Sequence, residues 1–166
     1  MWTATGLGAG FSSVAVTAGR IFTMGDRRDG QYVIGLDETD GHQLWATRVG
    51  PRHDDEYGGP RSTPTVDGAL LYVVTTSGDV VCLETAGGVE RWRRSFPGDF
   101  GGRMMSSWMF AESPLVDGDR VIVTPGGPRA ALSLWRAISG SRPRFFPRTS
   151  PTWGMTLPPW NEAAPI

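Results

Sequence analysis

The densest group of side chains that could do chemistry lies at residues 53–56, which read His-Asp-Asp-Glu. Imidazole nitrogens and carboxylate oxygens are ligands that metal cations accept. Four consecutive side chains point in different directions, however, so they rarely all reach one ion. An exposed loop is therefore the favoured interpretation, and neither a metal site nor a catalytic residue is predicted in this chain.

Aromatic and basic residues extend this segment and recur about 50 residues later. The candidate residues for a ligand or partner are Asp55, Tyr57, Arg61, Arg103, Met104 and Trp108. If both segments lie on one face of the fold, they form an aromatic and basic rim that suits a ligand or peptide. The two arginines could hold a carboxylate or phosphate through paired N–H groups. In the alternative interpretation, Met104, Trp108 and Phe110 fill a gap between structural units.

Signatures of other functions are missing from the sequence. The glycine clusters at 6–10 and 125–127 lack the spacing and the strand–helix context of a nucleotide-binding loop. No G-x-S-x-G element marks a nucleophile. The net charge of −1 argues against a nucleic-acid partner. Cys82 is the single cysteine, so the chain can build neither an internal disulfide nor a cysteine-based metal site.

The composition favours a globular fold made of strands and turns. Hydrophobic residues make up 39% and charged residues 20%, as in globular domains. The 23 glycines and 13 prolines interrupt the chain too often for a mainly helical fold. No apolar run approaches the ~20 residues that span a bilayer. The first ten residues have neither the charged nor the apolar region of a signal peptide.

A repeat organises the elements that would position the candidate residues. Gly19, Gly68 and Gly118 each end a short segment that begins with a small hydroxylated residue, and they recur at about 50 residues. Runs rich in Val, Ile, Leu and Thr follow each glycine, and such runs favour β-strands.

The second half of each unit repeats as well. A further strand closes in a turn that ends in Gly41 or Gly88, and Trp45 or Trp92 stands four residues beyond that glycine. Each unit is thus predicted to consist of four short antiparallel strands joined by tight turns. That arrangement, repeated at this period, is typical of β-propeller blades.

This pattern resembles the pyrroloquinoline-quinone-like (PQQ-like) β-propeller repeat, and the resemblance covers about residues 2–127. The residues that mark the repeat are Asp37, Gly41, Trp45, Gly68, Gly88, Trp92 and Gly118. The resemblance implies an all-β fold, a partial propeller with about two full blades and part of a third, in units near 12–50, 62–97 and 113–134. The markers are expected to be structural: tryptophans pack between blades, glycines form turns, and Asp37 accepts hydrogen bonds from turn amides.

The third unit departs from the pattern after Gly127. Residues 128–166 are predicted to be an irregular tail, either divergent or produced by a frameshift, with a short helix over residues 130–139 as a further expectation. Trp2 stands where the last tryptophan of a preceding unit would lie. The chain is therefore expected to be a fragment of a longer propeller.

Two functions follow from the resemblance as expectations. The first is a non-catalytic binding or scaffold module of a bacterial periplasmic or envelope protein, whose partners are the remaining blades or another protein. The alternative is part of a PQQ-dependent quinoprotein dehydrogenase acting on an alcohol or sugar. Such enzymes hold PQQ with Ca²⁺, a catalytic aspartate and often a disulfide of adjacent cysteines. No cofactor is expected in this chain. Binding of PQQ with Ca²⁺ is considered possible only for a complete parent protein.

Overall fold

The computed structural model describes residues 1–55, 57–104 and 106–127, together with the backbone of residues 133–136. Three antiparallel sheets follow one another along the described chain, two with four strands and one with three. Each sheet is one blade. The protein is an all-β partial propeller, and the predicted fold class is confirmed.

The first two blades are meanders of the same design. Blade 1 contains, in spatial order, β1 (Ala15–Thr17), β2 (Arg20–Arg27), β3 (Gly30–Asp37) and β4 (Gln43–Gly50). Blade 2 contains β5 (Thr65–Asp67), β6 (Leu70–Val74), β7 (Asp79–Glu84) and β8 (Glu90–Ser95). The short helix α1 (Phe96–Phe100) follows β8, and the Ser95 side chain caps it by accepting from the backbone N–H of Gly98.

The glycines of the repeat form the turns that the sequence predicts. Gly68 and Gly118 end the first turn of their blades with φ of +56° and +59°, in the left-handed region. Gly41 and Gly88 end the β3–β4 and β7–β8 turns with φ of +77° and +67°. The backbone N–H of Thr39 donates to Asp37 Oδ1 at 2.7 Å, so the expected role of Asp37 in the turn is confirmed.

The third blade contains β9 (Leu115–Asp117), β10 (Arg120–Val123) and β11 (Ser133–Arg136). Because β11 pairs antiparallel with β10, the helix predicted over residues 130–139 is wrong for these four residues. Pairing with an open strand edge outweighs the helical preference of the local sequence. Residues 128–132 and 137–166, with the frameshift hypothesis, lie outside the described residues.

The hydrophobic core lies between blades rather than within them. Successive residues of a strand face opposite sides of its sheet. Leu71 and Val73 of β6 accordingly pack with residues of blade 1, while Tyr72 and Val74 pack in the cluster that includes residues of blade 3. All four side chains are fully buried. One strand of blade 2 therefore supplies core residues to both of its neighbours.

Among the described residues, no helix has the length and apolarity needed to cross a membrane.

Candidate functional site

The two segments with the candidate residues are connections between blades, and both reach the same end of the blades. Residues 51–64 join β4 to β5, and residues 101–114 join α1 to β9. The first is tied to the end of β2, where Asp26 Oδ2 accepts from the backbone N–H of His53 at 2.8 Å. The second is tied beyond the end of β6, where Thr76 O accepts from the N–H of Phe110 at 3.2 Å.

Aromatic side chains from the two connections meet at this end. The rings of Tyr57 and Trp108 stack with centroids 5.5 Å apart and planes 7° from parallel. The Arg61 guanidinium lies 5.4 Å from the Trp108 ring centre and 5.6 Å from that of Phe11, within cation–π range. We call Phe11, Tyr57, Arg61 and Trp108 the loop-face cluster. Its three aromatic residues are between 49% and 61% exposed.

Arg61 holds its own loop in shape. Its two terminal nitrogens donate to the backbone carbonyls of Gly59 and Tyr57, and its Nε is buried without an acceptor among the described residues. The guanidinium thus joins both ends of the segment from Tyr57 to Arg61. Much of its capacity to donate is used inside the loop rather than offered to a ligand.

The other candidates of the second connection are exposed to solvent. Arg103 and Met104 lie at the surface, and no hydrogen bond, ion pair or ring contact joins either side chain to the loop-face cluster among the described residues. The gap-filling interpretation applies to Phe110, which is 3% exposed and packs against Phe96 with ring centroids 5.1 Å apart. It does not apply to Trp108, which is 56% exposed.

Asp55 lies in the first connection and organises its tip. Its Oδ1 accepts from the backbone N–H of Tyr57 at 2.9 Å, and its Oδ2 lies 2.7 Å from His53 Nε2. The neighbouring Asp54 pairs with Arg52 at 2.9 Å. These carboxylates shape the loop around a pocket of about 300 Å³ that also contacts residues 9–11 and Asp26.

Sequence reasoning missed two members of this region. Phe11 enters the loop-face cluster from the segment before β1, and Asp26 enters the pocket from the end of β2. The spacing of the repeat carries a signal for Phe11, because it lies 50 residues before Arg61. No sequence signal distinguishes Asp26 from an ordinary turn aspartate.

The tryptophan markers of the repeat join one blade to the next. Trp45 is 8% exposed, and its Nε1 donates to Thr85 O of blade 2 at 3.1 Å. Its indole ring lies against Gly88, where an added Cβ would come within 2.4 Å of the ring. Trp2 makes the equivalent pair of contacts with Glu38 O, at 3.1 Å, and with Gly41.

Trp92, the other tryptophan marker, is half-buried. It packs against Tyr72 of its own blade with ring centroids 5.9 Å apart, and against the core cluster that contains Val121 and Val123 of blade 3. The expected structural role of these tryptophans is therefore evident in their contacts.

One group of potential metal ligands lies away from the loop-face cluster, at the β3–β4 turn. The ligand atoms of Asp37, Asp40 and His42 lie within 4.8 Å of one another. Hydrogen bonds from the backbone and ring of His42 lower the pKa of Asp40, and the hydrogen bond with Asp40 raises the pKa of His42. Asp40 and His42 are exposed, and their contacts serve to close the turn.

Two described features bear on a PQQ–Ca²⁺ centre, the single cysteine and the Asp37–Asp40–His42 group. Cys82 is a free thiol buried in β7, where burial raises its pKa to about 12 and makes it unreactive. The Asp37–Asp40–His42 group lies at the far end of β3 from the loop-face cluster, at a turn open to water. No described pair of adjacent cysteines accompanies it.

Comparisons with known proteins agree with this architecture. A family model described as outer membrane protein assembly factor BamB matches residues 29–136. Among solved structures, BamB from Moraxella catarrhalis is 17% identical with a TM-score of 0.58, over 87% of this chain and 38% of that one. No curated protein sequence matches the chain.

Two dehydrogenase structures are similar to the same degree. The quinohemoprotein alcohol dehydrogenase ADHIIG from Pseudomonas putida HK5 is 18% identical with a TM-score of 0.58, over 84% of this chain and 21% of that one. A europium-containing methanol dehydrogenase is 15% identical with a TM-score of 0.59, over 84% and 25%. At these identities the likeness shows the fold alone, and the chain spans well under half of each protein.

The family match covers more than half of the sequence, and the blades and docked tryptophans described above are those of a propeller repeat. The chain belongs to the PQQ-like β-propeller repeat family whose model is described as BamB.

Proposed function

We propose that this chain is a non-catalytic binding module of a bacterial envelope protein, and that its loop-face cluster contacts a protein partner. The stack of Tyr57 on Trp108 carries the proposal, because it joins loops from two blade connections into one exposed aromatic surface. Aromatic residues and arginine are enriched at the centres of protein interfaces. The family description as an assembly factor of the outer membrane supports a protein partner in the envelope.

The cluster is well prepared for binding because it is already ordered. Arg61 braces the first loop from within, and the backbone of each loop is tied to a strand end of the blade before it. A surface that is held in shape loses little conformational entropy when a partner binds. Little of the binding free energy from the exposed rings is therefore lost to ordering the loops, and the affinity is higher than for a flexible surface.

The test compares Trp108→Ala with Val89→Ala as a matched control. Val89 is 55% exposed, close to the 56% of Trp108, but it lies at the β7–β8 turn, at the other end of the blade. The immobilised protein is incubated with a bacterial envelope extract, and bound proteins are quantified by mass spectrometry. We expect a protein that binds the unmodified chain and Val89→Ala, and whose binding falls at least about tenfold with Trp108→Ala.

Circular dichroism of both variants checks that the blades remain folded. If every protein captured by the unmodified chain binds Trp108→Ala equally well, the loop-face cluster is not the interface and the proposal is wrong.

A part of a quinoprotein dehydrogenase is the second candidate, favoured by the likeness to the two dehydrogenase structures. The protein at its full natural length is mixed with PQQ, Ca²⁺, an alcohol and a reducible dye. The binding proposal expects neither dye reduction nor a change in the PQQ absorption spectrum. Dye reduction that requires the protein would establish the enzyme in its place.

A further inference from the structure

The pocket beside the loop-face cluster contains an unusual carboxylate. Asp26 lines this pocket of about 300 Å³ and is only 6% exposed. Its Oδ2 accepts from the backbone N–H of His53 at 2.8 Å. Its Oδ1 is buried and accepts no hydrogen bond from any residue that the structure describes. One oxygen of this carboxylate is therefore buried without a partner among the described residues.

Every other described acidic group at the pocket has a partner. Asp54 pairs with Arg52 at 2.9 Å, and Asp55 pairs with His53 at 2.7 Å. Asp26 differs from both, because no side chain of the described pocket lining forms a hydrogen bond or ion pair with its carboxylate.

The nearest cation in the sequence is directed elsewhere. Arg27 donates to Gln43 Oε1 at 2.6 Å and lies over the Tyr32 ring at 5.2 Å. A buried carboxylate that lacks a positive partner is costly to keep, and a cation placed next to it would offset its charge. The charge distribution therefore favours a cation inside the pocket.

The walls of the pocket also suit an organic cation. Phe11 and Tyr57, both members of the loop-face cluster, line the pocket together with Asp26. Aromatic faces attract ammonium and guanidinium groups, and a carboxylate pairs with them through charge-assisted hydrogen bonds. The combination of a buried carboxylate and two rings matches the charged end of a lysine or arginine side chain.

We propose that this pocket binds the ammonium or guanidinium group of a basic side chain from a partner polypeptide, with Asp26 as its counter-ion. The inference rests on the proposed function, since it places a basic residue of the partner next to the loop-face cluster. It adds a charge requirement that an aromatic surface alone would not impose. A partner segment that fits both features carries an apolar patch beside a lysine or arginine.

The test titrates the full chain with N-acetyl-arginine amide and N-acetyl-lysine amide, followed by calorimetry or by NMR shifts of residues 9–11 and 52–59. N-acetyl-glutamine amide is the neutral control. We expect saturable binding of at least one cationic probe and none of the neutral one. Asp26→Asn should weaken that binding at least about tenfold, because it removes the charge and keeps the shape.

Asp54→Asn is the matched variant, since it removes one negative charge from an exposed side chain of the same pocket. It should change the affinity by less than about twofold, because water screens an exposed charge. An equal loss of affinity in Asp26→Asn and Asp54→Asn would mean that net charge alone attracts the probes, and would overturn the role of Asp26. Absence of saturable binding by the unmodified chain would overturn the site itself.

Thermal stability gives a second readout. Asp26→Asn should leave the melting temperature unchanged or raise it, because the amide oxygen still accepts from His53 while the unpaired charge is removed. A clear fall would assign Asp26 a structural role and contradict the proposal. Trp108 does not line the pocket, so the probes should still bind Trp108→Ala. The two proposals can thus fail separately.

Discussion

Trp45 shows how one residue joins two blades. Its ring packs on the turn glycine of blade 2, and its N–H donates to a carbonyl of the same turn, Thr85 O. Packing alone tolerates sliding, whereas the hydrogen bond fixes the position of the indole along the turn. The joint depends on Gly88, because any side chain there would occupy the space of the ring.

Gly88→Ala is therefore expected to destabilise the protein by about 2–4 kcal/mol, from the left-handed φ and the collision with Trp45. Its neighbour provides the control, since an added Cβ at Gly87 meets nothing within 4 Å and Gly87 has no left-handed φ. Gly87→Ala should change the free energy of unfolding by less than about 0.5 kcal/mol. Urea unfolding of both variants measures the difference, and equal effects would contradict the docking of Trp45 on Gly88.

At the scale of residues, the sequence predicts what is repeated and misses what is not. Trp45, Gly41 and Gly88 recur at a fixed period, and their structural roles follow from that period together with the chemistry of turns. Asp26 and Gln31 occur once, in strands where a polar residue ordinarily faces water. Their burial depends on loops and strands that are distant in the sequence, so no local pattern announces it.

At the scale of elements, an equivalent hydrogen bond in each blade ties the segment before the first strand to the second strand or to the residue that follows it. Ser12 Oγ accepts from the N–H of Met24, and Ser62 Oγ accepts from the N–H of Val74, at 3.2 and 3.1 Å. In the third blade Glu112 takes this position and accepts from the N–H of Thr124 at 2.9 Å. Thr124 also donates its hydroxyl to the carboxylate. An ionisable group has thus replaced a neutral one in the third blade.

Glu112 gives the third blade a dependence on pH. Burial raises the pKa of Glu112 above its ordinary value of 4.5, despite the hydrogen bonds from Thr124 that oppose the shift. The folded protein therefore binds this proton more tightly than the unfolded chain. The resulting stabilisation is fully present below the ordinary pKa and is lost as the pH rises through the raised value.

The measurement follows the melting temperature of the unmodified protein and of Glu112→Gln, from acidic to neutral pH. We expect the stability of the unmodified protein relative to Glu112→Gln to fall as the pH rises through this range. A difference that is constant with pH, or that grows as the pH rises, would contradict the raised pKa.

The third blade also shows why one element escaped prediction. Arg136 pairs with Arg120 as Glu84 pairs with Leu70 and as Asp37 pairs with Arg20. β11 is thus the counterpart of β3 and β7, although no Leu-Asp motif marks it. The β10–β11 connection, residues 124–132, is longer than the β2–β3 and β6–β7 connections. The third strand of this blade therefore lies later in the sequence than the period of the repeat predicts.

At the scale of the whole molecule, polar contacts surround the apolar core between blades 1 and 2. The Gln31 side chain is fully buried, donates to Thr76 Oγ1 at 2.8 Å and accepts from the Thr76 N–H at 3.0 Å. Arg93 of blade 2 donates to Val49 O of blade 1 at 2.6 Å. Because these bonds cross the interface, the two blades are expected to unfold together.

Gln31→Ala should lower the free energy of unfolding by about 2–4 kcal/mol, since it leaves the Thr76 N–H buried without an acceptor and opens a cavity. Gln43→Ala is the control, because Gln43 is exposed and bonds to Arg27 within blade 1. Hydrogen exchange followed by mass spectrometry should show that β2–β3 and β6–β7 lose protection together in Gln31→Ala. A loss of protection confined to β2–β3 would show that the hydrogen bonds between Gln31 and Thr76 do not couple the two blades.

The docking of Trp2 and Trp45 on successive blades has a consequence for how such chains grow. Blade 1 presents Trp45 on one side and Glu38 O with Gly41 on the other, so its two sides are complementary halves of one joint. An in-frame duplication of the DNA that encodes one period would add a blade that fits both neighbours without a compensating substitution. During evolution, such a chain can thus gain or lose whole blades while the contact between neighbouring blades stays the same.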